Sequence, residues 1–240
     1  MQSGADLVVI AAHPDDAELA VGGILIAARQ QGHRTAILDL TRGELSTRGN
    51  LETRAQETSR ASELLDLCHR ENLGLPDGGV RDTDEARVLL VEALRRLKPQ
   101  MVLAPWKDDL HPDHAGAGLL AYRSWYLTGI RKVAAETPIH RPQTLGYYMC
   151  HSPFEESVVF DVSQVWEQRM AATRAYASQF YAEDIPSTPT KISSPGFMEA
   201  IEGRARHYGL MVGASFGEPI RWEHPPRVRQ LSAFLEEDRS

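Results

Sequence analysis

Cys68 and Cys150 are the only cysteines in the 240-residue chain. Two thiols are too few for a disulfide framework or a thiolate-rich metal site, and they suit a reducing compartment. A transition metal held here must therefore use imidazole and carboxylate. No apolar run approaches the roughly 18 residues needed to cross a bilayer, and Met1-Gln2-Ser3-Gly4-Ala5-Asp6 has no basic stretch of the kind that opens a secretory leader. The expectation is a cytoplasmic protein with no membrane partner. Positive charge is scarce too: 26 Lys and Arg face 33 Asp and Glu, a formal charge of −7. That balance argues against nucleic acid as a partner while allowing a local basic patch inside a pocket. No G-x-G-x-x-G follows the first apolar segment, so Gly22-Gly23 reads as close helix packing rather than a dinucleotide loop.

With 42% hydrophobic residues, a chain of this length can bury a substantial core, and one domain over 1–240 is expected. Leu7–Ala12, Thr35–Leu40 and Met101–Ala104 are short, apolar and bounded by turn or helix signals, which predicts buried parallel strands. Helical periodicity covers Ala17–Gln31, Leu51–Leu67 and Asp84–Leu97, with Gly32 and Pro99 as stops. This alternation predicts an α/β fold, Rossmann-like, with a mainly parallel sheet flanked by helices. Thr144–Met149 and Val158–Val162 read as further strands, and Gln164–Gln179 and Phe197–Tyr208 as late helices. Residues 181–196, rich in Pro, Ser and Thr, read as a lid-like loop, and the chain from about 217 as a tail of weak periodicity that wraps the domain or serves a subunit contact.

Two segments carry chemistry. The first strand breaks off into His13-Pro14-Asp15-Asp16, and His111-Pro112-Asp113-His114 follows a later strand. Both clusters fall at carboxyl ends of predicted strands, where open α/β sheets bind ligands. Taken alone, Asp15 or Asp16 is equally a helix cap, and Pro112 with Asp113 is equally an ordinary helix start. Two clusters on one sheet edge favour a metal. His13, Asp16 and His114 make the three-ligand set that a catalytic zinc uses while keeping a position for water. Asp15 is left as general base, His111 as a group acting on the substrate, and Asp113 as a carboxylate that orients an imidazole.

Thr41-Arg42-Gly43-Glu44 and Arg54-Ala55-Gln56-Glu57 lie between the clusters. With His13-Pro14-Asp15-Asp16-Ala17-Glu18 and His111-Pro112-Asp113-His114 they resemble, in order, the motifs of the LmbE-like and PIG-L zinc-dependent GlcNAc deacetylases. Asp39–Leu45, Leu73–Gly78, Lys191-Ile192-Ser193 and His207-Tyr208-Gly209 are similar to the bacillithiol-biosynthesis branch. The resemblance implies one Zn2+ per subunit, with another divalent metal as an alternative, and a homo-oligomer, with a hexamer as one form. It also implies hydrolysis of N-acetylglucosaminyl-malate to glucosaminyl-malate and acetate. Deacetylation or amide hydrolysis of another small GlcNAc conjugate is the nearest alternative, and a catalytically silent metal- or sugar-binding protein is the more distant one. Arg54 is the foremost substrate-binding candidate, with Glu44, Arg48 and Lys107 behind it; on spacing alone, Arg54 would instead pair with Glu57 or Glu52 on a helix surface. Glu18 reads as support for the metal loop, and His151 as a structural histidine. In that branch an Arg is expected just before the second motif, and this chain has Leu110 there.

Overall fold

The computed structural model describes residues 4–180 and 188–228. Strands β1 (Leu7–Ala11), β2 (Thr35–Asp39), β3 (His69–Asn72), β4 (Met101–Pro105), β5 (Thr144–Tyr148), β6 (Val158–Asp161) and β7 (Gly217–Trp222) form one sheet in the order β3-β2-β1-β4-β5-β7-β6. The first five strands run parallel, and β7 is antiparallel to both β5 and β6. Helices are α1 (Asp16–Gln30), α2 (Leu51–Leu64), α3 (Asp84–Leu97), α4 (Pro112–Leu127), α5 (Trp166–Arg174) and α6 (Pro195–Met211).

Side-chain alternation along β1 explains the two layers. Val8 and Ile10 join a core with Leu38, Leu90, Leu94 and Leu120, under α3 and α4. Leu7, Val9 and Ala11 join another with Ile37, Leu25 and Met170, under α1 and α5. A strand covered on both faces needs apolar residues at every position, which is why β1 is an unbroken hydrophobic run. Between β1 and β4 the strand order reverses direction, so the loops leaving these two strands open a crevice at the carboxyl edge. Those loops carry the two His-Pro-Asp segments.

The structure departs from the sequence reading in particular elements, among them β3, which was not expected. The region from 217 does not begin as a tail: Gly217–Trp222 is β7, inserted between β5 and β6. Its Glu218 and Pro219 disguise it, and Glu218 has a specific task. At Val21 the α1 backbone leaves helical geometry, and the freed Gly23 and Ile24 N–H groups donate to the Glu218 carboxylate at 2.9 and 2.8 Å. A Cβ on Gly23 would lie 2.7 Å from the Val162 side chain, so glycine is needed for this approach. The helix expected over Gln164–Gln179 ends at Arg174, where the chain turns so that Tyr176 and Phe180 pack against Ala61 of α2. Within the expected lid-like loop, residues 181–187 lie outside the described residues, and α6 starts at Pro195.

Candidate metal centre and active site

His13-Pro14-Asp15-Asp16 forms the tight passage from β1 into α1. Asp15 has φ 123°, ψ −25°, a conformation that costs a non-glycine residue roughly 1–3 kcal/mol. Two bonds hold it: Arg54 donates to the Pro14 carbonyl at 2.6 Å and to Asp15 Oδ2 at 2.7 Å. This twist separates the two carboxylates. Asp15 faces the Arg54 guanidinium, whereas Asp16 faces His114 Nε2 at 3.2 Å and His13 Nδ1 at 3.5 Å.

The second segment starts α4. His111 is the N-cap, and its Nδ1 accepts the Asp113 N–H at 3.2 Å. A neutral imidazole so fixed carries its proton on Nε2. His114, one turn on, offers Nε2 to Asp16 and Nδ1 to Asp109 at 3.1 Å. Asp109 is itself anchored, accepting the N–H groups of His111, His151 and Ser152 at 3.0, 2.8 and 2.9 Å. On the other side, His13 Nε2 meets Asp77 Oδ1 at 3.1 Å and Asp113 Oδ2 at 3.2 Å. Asp113 also accepts from Gly78 N at 2.7 Å and Val80 N at 3.1 Å.

Charge follows from these contacts. Burial alone would strip the proton from His13, but hydrogen bonds to Asp16 and Asp77 carry its pKa up to about 10. His114 is likewise driven up by Asp16 and Asp109 in spite of burial. Burial works against the charged form of Asp16, yet the facing His114 and His13 hold its carboxyl well below the usual range. The His13 hydrogen bond brings Asp77 down to about 2. Asp15 goes the other way: burial pushes it up to about 6, against the pull of Arg54. Burial and the neighbouring His114 charge lower the pKa of His111, which keeps it neutral near pH 7.

The donor atoms of His13, Asp16 and His114 lie within 4.8 Å of one another, close enough to share one cation. Their chemistry fits a divalent metal. Each imidazole turns one nitrogen to Asp16, while its other nitrogen meets an anchored carboxylate, Asp77 and Asp113 for His13 and Asp109 for His114. Carboxylates placed in this way orient and strengthen metal-binding imidazoles. A proton on each ring balances part of the surrounding acid, as a cation between them would.

A cavity of about 490 Å³ opens over this centre, lined among others by His13, Asp15, Asp16, Arg48, Arg54, His111 and His114. Asp113 does meet an imidazole, that of His13, because two backbone N–H groups swing its carboxylate toward the β1 loop. Two sequence-based assignments need correction. Lys107 is absent from the cavity wall; its Nζ pairs with Glu223 at 2.9 Å, within 5.7 Å of the Trp106, Tyr122 and Tyr147 rings. Glu44 does not line it either; its carboxylate accepts from Asp77 N at 2.9 Å and Arg42 N at 3.2 Å, tying two loops together. Arg48 does line the cavity, donating through Nε to Ser178 O at 2.7 Å and leaving a buried Nη2 without a partner among the described residues. Glu18 bonds Arg70 at 2.6 Å and Tyr176 at 3.0 Å, anchoring the start of α1.

Sequence reasoning missed Asp109, Asp77 and the cavity position of His151. Asp109 stands two residues before His111, and that closeness was the available signal; Asp77 occupies the Pro76-Asp77-Gly78 turn, far in sequence from either segment. His151 lines the cavity with its ring nearly parallel to His114, centroids 5.2 Å apart.

Sheet and centre together define an open α/β protein with a histidine–aspartate centre at the strand-order reversal. The chain belongs to the PIG-L family, whose model, described as GlcNAc-PI de-N-acetylase, matches residues 8–124. It is similar over 94% of its length to a conserved Thermus thermophilus protein of known crystal structure, with 40% identity, a TM-score of 0.85 and 97% of that chain covered. The diacetylchitobiose deacetylase of Thermococcus kodakarensis is 28% identical over 90% of this chain and 82% of its own. A probable N-acetyl-alpha-D-glucosaminyl L-malate deacetylase 2 of Bacillus subtilis is 22% identical over 91% of this chain and 96% of its own.

Proposed function

We propose that the protein is a metal-dependent N-deacetylase that hydrolyses the acetamide of a small GlcNAc conjugate, N-acetylglucosaminyl-malate in the first instance. One observation carries the reading: adjacent Asp15 and Asp16 face different partners, so a base stands beside a metal-type centre without belonging to it. The names of the deacetylase relatives support the same chemistry.

His13, Asp16 and His114 would hold the cation. When bound, a divalent metal such as zinc acidifies water and polarises a carbonyl. Asp15 takes the proton of the attacking water; a carboxyl raised to about 6 is a stronger base than an ordinary aspartate and still ionised near neutrality. Arg54 fixes its direction. His111, neutral and with its proton on Nε2, donates to the oxygen that gains charge as the carbonyl carbon becomes tetrahedral. The C–N bond then breaks, and Asp15 returns its proton to the departing nitrogen.

The buried Arg48 Nη2, unpartnered among the described residues, supports a carboxylate-bearing aglycone such as malate. Leu110, standing where the malate branch is expected to carry an Arg, supports a neutral conjugate such as diacetylchitobiose as the second reading. Acetate release from N-acetylglucosaminyl-malate, diacetylchitobiose and a GlcNAc-inositol, measured with zinc-loaded protein, tests both. The malate reading expects the highest kcat/KM on the first; a preference for either of the others replaces the aglycone, and no release from any removes the deacetylase reading.

A further inference from the structure

The cavity lining is of two kinds. Ser46, Arg48, Gln179 and Asp77 are polar. Leu19, Ala20, Met149, Ile192, Phe197 and Ile201 form an apolar wall, of which Leu19, Ile192 and Phe197 pack against the Ala61, Tyr176 and Phe180 cluster. An acetyl group ends in a single methyl, which does not need six apolar side chains.

The position of this wall follows from helix geometry. Leu19 and Ala20 are three and four residues beyond Asp16 on α1, one turn from it on the same face. Phe197, Ile201 and Arg204 recur at the spacing of one face of α6. Arg204 clamps the wall: it donates to the carbonyls of Met149, Cys150 and Leu19 at 3.2, 2.8 and 3.1 Å, joining α6 to the end of β5 and to α1. Ala20, Met149 and Ile201 are nearly buried, at 6%, 7% and 7% exposure, while Leu19, Ile192 and Phe197 are half-buried and still face the cavity. An acyl carbon held beside Asp16 and His114 therefore has a fixed apolar surface one helical turn away.

We infer that this wall is an acyl-chain subsite, so that the enzyme hydrolyses N-acyl glucosamine conjugates whose acyl group is longer than acetyl. The inference rests on the amide-hydrolase reading and extends it. Water adds to the acyl carbonyl, the C–N bond breaks, and the products are a fatty carboxylate and the free amine.

The test uses the zinc-loaded protein and a series of glucosamine conjugates sharing one aglycone and carrying N-acetyl, N-propionyl, N-butyryl or N-hexanoyl groups. Burial of each added methylene should raise kcat/KM by about fourfold as far as butyryl. A tenfold or larger fall from acetyl to butyryl overturns the inference. Ile201→Phe fills the wall, and should lower the butyryl-to-acetyl ratio at least tenfold. Phe197→Ala, at a half-buried position less critical to folding, should lower it by a smaller factor. A ratio unmoved in both variants overturns the assignment of the wall. Octyl and methyl N-acetylglucosaminides separate the other use of an apolar surface: a gain with the alkyl aglycone and none with the longer acyl group also overturns it. Acetyl turnover with rejection of every longer chain removes this inference alone, whereas no turnover on any member removes the deacetylase reading as well.

Discussion

At the residue scale, the centre depends on which carboxylate faces which cation. Asp15→Asn keeps the shape of the group and removes its basicity, so kcat should fall about 10²–10⁴-fold while zinc stoichiometry, read by metal analysis, stays unchanged. Arg54 acts on the same proton from the other side. Its charge opposes the effect of burial on Asp15, so in Arg54→Ala the Asp15 pKa must rise above about 6 and the acid limb of the kcat/KM profile must move to higher pH. A profile that stays in place would detach Arg54 from the base. Asp109→Asn tests the residue that sequence reasoning overlooked: it weakens the carboxylate on His114 Nδ1, and zinc affinity in a competition titration should fall about 10–100-fold. The ligand-type residues were legible because their chemistry is local, a His and an Asp three positions apart. Asp109 and Asp77 were not, because nothing in sequence says which imidazole a carboxylate will reach once two loops have met.

At the element scale, β1, β2 and β4 were readable because a strand buried on both faces has an apolar run at its centre, and composition records that directly. The strands that escaped notice lack this mark. In β3, His69-Arg70-Glu71-Asn72 is charged for two reasons: the strand is an edge, where polar side chains discourage further pairing, and Arg70 answers the buried Asp39 and Glu18 carboxylates. In β7, Glu218 is present because α1 breaks at Val21 and two N–H groups need an acceptor, a requirement set 195 residues away and invisible in local pattern. Glu218→Ala should therefore destabilise the fold by roughly 2–4 kcal/mol, since both donors are left buried without a partner. Urea unfolding measures it; a midpoint equal to wild type would mean that α1 repairs its own break. Gly23→Ala meets the same junction from the helix side and should cost about 1–3 kcal/mol through overpacking against Val162.

At the scale of the whole molecule, the centre joins loops that leave β1 and β4 with the turn containing Asp77 and the segment after β5, so occupancy of one site bears on the stability of the entire sheet edge. A cation that binds only the folded chain adds RT ln(1 + [L]/Kd), about 2.7 kcal/mol at a hundredfold excess over Kd. For a chain of this size that corresponds to a Tm increase of about 5–10 °C. Protons compete for the same nitrogens. His13 has a folded pKa raised to about 10 from the ordinary 6.5, so in metal-free protein its contribution to stability is complete below about pH 6.5 and is lost as pH rises through about 10. A cation bound there would have to displace that proton, which becomes easier as pH increases. The Tm difference between zinc-loaded and chelator-treated protein should therefore widen from about pH 6 to about pH 8.5, and calorimetric titration in buffers of different ionisation enthalpy should register proton release on binding. His114→Ala removes one donor and should abolish most of the zinc-dependent Tm shift while leaving a folded chain at neutral pH. A shift of equal size at both pH values, or one that survives His114→Ala, would place the cation away from His13, Asp16 and His114.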